Sequence, residues 1–147
     1  MAIERNFDLE RFVLAQNTNE SYLNALRELA EGQKRSHWMW WIFPQLLGLG
    51  SSELSVRFAL SSIAETERYL RHSVLGPRLV KSTDAILSHD GTDIIEILGT
   101  TDAQKLRSSM TLFCFTSPSS TRFTQTLKTF FEGSPCALTL QLIGACA

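Results

Sequence analysis

Apolar residues recur three and four places apart along nearly the whole chain, and no clear stretch alternates in steps of two. The first spacing puts side chains on one face of a helix, whereas a half-buried strand needs the second. The sequence therefore predicts an all-α fold of about eight short helices joined by brief connections. Asn6 or Asp8 is placed to cap a first helix reaching about Gln16, with Leu9, Phe12 and Val13 on one face. A second helix is expected over about Glu20 to Glu31, with a stripe of Tyr22, Leu23, Leu26, Leu29 and Ala30 and a stop at Gly32. Pro44 limits any helix in the segment that follows. The piece Leu54 to Leu60 is short enough to be extended.

Ser62-Ile-Ala-Glu65 has the form of a capping box, so a helix should start there and reach about His72. Gly76-Pro77 is expected to break the chain and open another helix with Pro77 at its first position. Its inner face is read as Leu79, Val80, Thr83, Ile86 and Leu87. Thr92 should open a short helix ended by Gly99. Thr101-Asp-Ala-Gln104 resembles a second capping box, preceding Leu106, Met110 and Phe113. Pro118 ends that helix, and Ser119 or Ser120 caps the next, which carries Phe123, Leu127, Phe130 and Phe131. Gly133 stops it, and Ala137 to Ile143 makes a last apolar helix. The spacing predicts a core containing Leu26, Trp38, Phe43, Leu106, Met110, Phe113, Phe123, Leu127 and Phe130.

A chain of 147 residues suits one domain, here read as 1–147, that buries a core without metal or disulfide support. A net charge of -1 argues against bulk attraction to nucleic acid or an anionic membrane. No apolar run has the length of a membrane span, and Met1 to Phe7 has no signal-peptide core, so a cytoplasmic protein is expected. Cys114, Cys136 and Cys146 form no close pair, which fits a reducing compartment. No zinc-ligand spacing occurs, and neither a metal nor a cofactor is expected.

Two polar stretches stand out against this helical background. Lys34-Arg-Ser-His-Trp-Met-Trp-Trp-Ile-Phe-Pro-Gln45 holds all three tryptophans within four positions. Lys34, Arg35, Ser36 and His37 can supply charge and donors to an anion, and Trp38 a wall for a ring. A solvated loop followed by a buried aromatic anchor would look the same. In the second stretch, Lys105, Arg107, Ser108 and Ser109 lie on a helix whose apolar residues must point inward. Paired serines are poor helix formers, which suggests a role beyond propensity. They can equally be hydroxyls that bond back to the helix carbonyls.

Lys34 to Gln45, Gly48-Leu-Gly-Ser-Ser52, Tyr69-Leu-Arg-His72 with Leu75-Gly-Pro-Arg-Leu79, and Lys105-Leu-Arg-Ser-Ser-Met-Thr-Leu-Phe113 together resemble the domain-of-unknown-function 1810 family. The resemblance runs from about Phe7 to the Thr139-Leu region. It implies a mainly helical single domain and brings no activity. The chain departs from it at Cys136, where an Asp is common after Gly-x-Pro, and at Trp41, where another aromatic is usual. With the resemblance, Arg35, Ser36, His37 and Trp38 are expected to meet Lys105, Arg107, Ser108 and Ser109 around one pocket. Arg35 and Arg107 would act on one anion, and His37 would serve as general acid or base. The ligand expected is small and anionic or nucleotide-like. The alternatives are a protein-interaction module with a tryptophan-rich surface, or motifs that are purely structural. The oligomeric state is left open.

Overall fold

The structure, a computed structural model, describes residues 7–146, without the side chains of Ala145 and Cys146. Ten α-helices are found there, and among the described residues no strand beyond a single bridge between Leu46 and Leu60. They are α1 (Glu10–Asn17), α2 (Ser21–Glu31), α3 (Met39–Ile42), α4 (Glu53–Arg57), α5 (Ile63–Arg71), α6 (Leu75–Leu87), α7 (Ile94–Leu98), α8 (Thr100–Thr116), α9 (Thr121–Phe131) and α10 (Ala137–Cys146). A 3-10 turn, Thr18–Glu20, joins α1 to α2.

Two helices organise the rest. α8 packs on α5, α7, α9 and α10, and α6 packs on α2, α3, α5 and α9. Every residue of α8 from Ser108 to Phe113 is buried, so this helix has no solvent face over that span. Phe113 sits at its centre, with its ring 5.7 Å from Tyr69 and 5.6 Å from Phe123. α5 and α6 approach closely because position 76 is glycine: a Cβ there would strike the Leu70 carbonyl. Trp38, Phe43, Leu106, Met110, Phe113, Phe123 and Leu127 are buried as predicted, while Leu26 and Phe130 are half-buried against the core.

Eight of the ten helices correspond to the predicted ones; α3 and α4 are the additions. The segment 53–57 is helical, not extended, because Ser52 Oγ accepts the Ser55 N–H and starts a turn. Only Leu60 of the stretch 54–60 pairs in the Leu46 bridge. α6 begins two residues before Pro77, because His72 Nδ1 accepts the N–H groups of Val74 and Leu75 and caps the helix from outside. α8 begins at Thr100 directly after Gly99, so Thr101 is inside the helix and caps nothing. Leu9, not Asp8, stands at the N-cap of α1, and Asn6 lies outside the described residues. In α2, Leu23 and Ala30 face solvent, so the buried stripe is Tyr22, Ala25, Glu28 and Leu29.

The Ser62 box is present in altered form. Ser62 Oγ accepts the Glu65 N–H, but the Glu65 carboxylate reaches the N–H of Ser61 and also pairs with Arg11 at 3.0 Å. Asp93, one residue after Thr92, caps α7. Ser120 holds the N-cap position of α9 without a side-chain bond, and Glu132 turns left-handed just before Gly133.

Candidate functional site

The loop from Lys34 to Trp38 is organised by one carboxylate. Glu28 on α2 accepts from the Arg35 N–H at 2.7 Å, the Ser36 N–H at 2.9 Å, Ser36 Oγ at 2.7 Å and Trp38 Nε1 at 3.0 Å. Burial pushes its carboxyl pKa up, but these bonds, led by the Arg35 N–H, outweigh that and hold it at about 2. The Lys34 N–H adds an anchor to the Ile97 carbonyl. The backbone on both sides of His37 is thus fixed, while the His37 side chain makes no hydrogen bond or ion pair among the described residues.

The remaining bases of the two polar stretches have structural partners. Lys34 Nζ lies 2.9 Å from Asp102 and 5.0 Å from the centre of the Trp38 ring. Lys105 Nζ lies 3.8 Å from the same aspartate and 4.7 Å from the Trp40 ring. The two stretches therefore do meet, at Asp102, with each lysine laid on an indole. Arg35 bonds Glu31 and Gln33 at the surface. Arg107 donates to the carbonyl and hydroxyl of Ser134 and stands over Phe131. Ser108 bonds back to the Gln104 carbonyl and to Cys136 Sγ, as the structural reading of a mid-helix serine expects. Ser109 is fully buried, and its hydroxyl has no partner among the described residues.

Cys136 precedes α10, and its N–H donates to Thr111 Oγ1. Burial raises its thiol pKa, but the Ser108 hydroxyl and the first-turn groups of Thr139 and Leu138 lower it by more, so the net shift is downward. The sulfur fills the acceptor position that a capping carboxylate would take. Cys114 is half-buried beside Thr124, and the Cys146 side chain lies outside the described residues.

A cavity of about 520 Å³ is lined in part by the tryptophan loop. Small-molecule sites commonly span about 300–1,000 Å³. Four pieces of chain line it: α1 with Arg11, Leu14 and Ala15; the turn and α2 with Thr18, Asn19, Ser21 and Asn24; the loop and α3 with Ser36, His37, Trp38 and Trp41; and α4 with Leu54, Arg57 and Phe58. Of the expected ligand-binding residues, Ser36, His37 and Trp38 line it. Lys34, Arg35, Lys105, Arg107, Ser108 and Ser109 do not.

No carboxylate lines this cavity among the described residues. Arg11 is consumed by the Glu65 carboxylate and the carbonyls of Asp8, Arg57 and Ala59. Arg57 is not: its guanidinium lies over the neighbouring Phe58 ring at 5.3 Å and has no polar partner among the described residues. Sequence reasoning missed Arg57 because the segment was read as extended. A helix starting after Ser52 brings Leu54, Arg57 and Phe58 onto one face, and the Ser52 cap was the available signal.

The aromatic wall is braced. Trp41 Nε1 donates to Ser21 Oγ at 2.8 Å, its ring meets Phe58 edge-on at 5.2 Å, and its carbonyl accepts from Gln16. Trp38 is buried and Trp40 and Trp41 are half-buried, so the tryptophans form no exposed patch. No group of three or more His, Cys, Asp and Glu side chains that could hold a metal occurs among the described residues. Among those residues, no helix is long and apolar enough to cross a membrane.

Comparison with known proteins gives the same fold. The crystal structure of the conserved hypothetical protein Rv1873 from Mycobacterium tuberculosis matches with a TM-score of 0.92 and 44% identity, over 95% of this chain and 99% of that one. No curated protein matches. The family described as "Protein of unknown function (DUF1810)" matches residues 6–143, nearly the whole length, and the chain therefore belongs to that family.

Proposed function

We propose that the protein binds a small anionic, nucleotide-like ligand in the cavity between α1, α2, α3 and α4. The observation that carries this is the pairing of unspent groups: a guanidinium, Arg57, and an imidazole, His37, line a cavity that no carboxylate neutralises. An anion there gains charge-assisted hydrogen bonds without displacing an internal ion pair. The braced Trp41 and Phe58 rings offer an apolar face to the rest of the ligand. For any chemistry on the bound ligand, His37 is the group available to move a proton. The half-buried and buried tryptophans give little support to a tryptophan-rich interaction surface.

Thermal shift tests this, since a ligand that binds only the native state raises its stability by mass action. Phosphate-bearing probes are expected to raise Tm, and Arg57→Ala to weaken binding about tenfold, a loss of about 1.4 kcal/mol. Arg35→Ala and Arg107→Ala should leave binding unchanged. Native-like binding by Arg57→Ala, or no shift with millimolar phosphate or nucleotide, would sink the proposal. If turnover is found, His37→Ala should abolish it while Kd moves less than in Arg57→Ala.

A further inference from the structure

The cavity has an uncharged pole as well as a charged one. Its rim at the α1–α2 turn carries four polar side chains, Thr18, Asn19, Ser21 and Asn24, and Ser21 Oγ already accepts from Trp41 Nε1. Thr18 Oγ1 is spent on the Leu14 carbonyl. Asn24 is spent at both ends, donating to the Asn19 carbonyl and accepting from Arg27. The Asn19 carboxamide has no partner among the described residues. Its backbone is left-handed, φ 52°, and so is that of Glu20, φ 57°. Two successive non-glycine residues in that region are costly, and such strain persists where the surroundings over-determine it. Here the bond from Asn24 holds the Asn19 carbonyl.

We infer that the ligand is a nucleoside monophosphate, with its base against Trp41, the base edge read by the Asn19 carboxamide, and its single phosphoryl group on Arg57 and His37. This rests on the reading proposed above and names the ligand class for the same site. A carboxamide presents a donor and an acceptor side by side, the pattern that pairs with the edge of a base. The Trp41 ring, fixed by Ser21 and packed between Phe58 and Trp40, lines the cavity, and an aromatic ring in such a lining is a stacking partner for a base. Charge limits the phosphate count. A phosphate monoester carries about -1.5 to -2 at pH 7. Arg57 supplies one full positive charge, and His37 adds a hydrogen-bonding ring nitrogen beside it in the lining. Further phosphoryl groups would enter without a free cation, since Arg11 is already paired.

Titration calorimetry on the full chain tests the inference with ribose 5-phosphate, the four nucleoside 5′-monophosphates, and the corresponding triphosphates. At least one monophosphate should bind tenfold or more tighter than ribose 5-phosphate, and tighter than its own triphosphate. It should also change the intrinsic tryptophan fluorescence, which ribose 5-phosphate should not. Asn19→Gly removes the carboxamide in a backbone that glycine adopts freely. It should weaken the monophosphate at least threefold and leave ribose 5-phosphate unchanged. Asn19→Asp, which removes the amide donor and adds a negative charge to the cavity, should weaken the monophosphate at least as much and weaken ribose 5-phosphate as well. Equal affinity for monophosphate and ribose 5-phosphate, no effect of either Asn19 variant, or a triphosphate binding as tightly overturns this inference. With Arg57-dependent ribose 5-phosphate binding intact, those outcomes leave the anion-binding proposal standing. Failure of every phosphate-bearing probe to bind removes both.

Discussion

Glu28 does most to position the tryptophan loop, because it gathers four donors from residues 35–38 onto one carboxylate. Glu28→Ala would strand two backbone N–H groups and an indole N–H in partly buried surroundings, so a loss of about 3 kcal/mol is expected in denaturant unfolding. The direction of its pH dependence follows from a folded-state pKa held at about 2 against an ordinary 4.5. A depressed carboxyl contributes its stabilisation fully above the ordinary value and loses it as pH falls through about 2. Acid unfolding between about pH 4.5 and pH 2 should therefore be shallower in Glu28→Gln than in the native chain; equal slopes would contradict this role. At Cys136, replacement by Ala should cost about 1 kcal/mol and replacement by Asp should not, because a carboxylate is the stronger helix cap. Chemical denaturation of the two variants separates those outcomes. His37 was visible in the sequence as part of a dense donor cluster. Glu28 was not, because its partners lie seven to ten positions downstream and no local spacing announces them. Lys34 and Lys105 were visible as bases, but their use on Asp102 depends on tertiary placement that charge alone does not reveal.

Periodicity located the long helices well, and failed where burial is not one-sided. α9 shows the ordinary case: Phe123 and Leu127 recur four apart and both are buried. Phe113→Ala and Leu127→Ala should each destabilise by about 3 kcal/mol, the range for large core side chains cut to alanine. Midpoint shifts worth only a few tenths of a kcal/mol would show that these faces are not packed. α8 is the other case. Its stretch from 108 to 113 is buried on every side, so its serines and threonine are interior despite their polarity, and no stripe marks them. The short helices α3 and α4 carry too few residues for a stripe, which is why the wall holding Arg57 went unread. Helix contact makes its own demand at Gly76, where Gly76→Ala should cost about 2 kcal/mol by overpacking α5 against α6. Thermal unfolding of that variant checks the value, and an unchanged Tm would show that the two helices can separate at no cost.

Across the whole molecule, the fold is shared with a protein 44% identical over nearly its full length, so the all-α architecture tolerates wide replacement. Its parts are unevenly distributed. The cavity is lined by residues 11–58, while α6, α8 and α9, all later in the chain, make much of the packed interior. Part of the cavity wall is made of short elements, a 3-10 turn and two helices of four and five residues. Such pieces can open without the interior opening. Amide deuteration should therefore proceed in two tiers. The turn at 18–20 and α4 should label first and in a regime insensitive to mild denaturant, while the enclosed middle of α8 should label only through global unfolding. A ligand seated between the short walls would slow the first tier and raise the second only by its mass-action contribution to stability. The enclosure of α8 thus supplies an internal clock, against which opening of the cavity can be timed within a single sample.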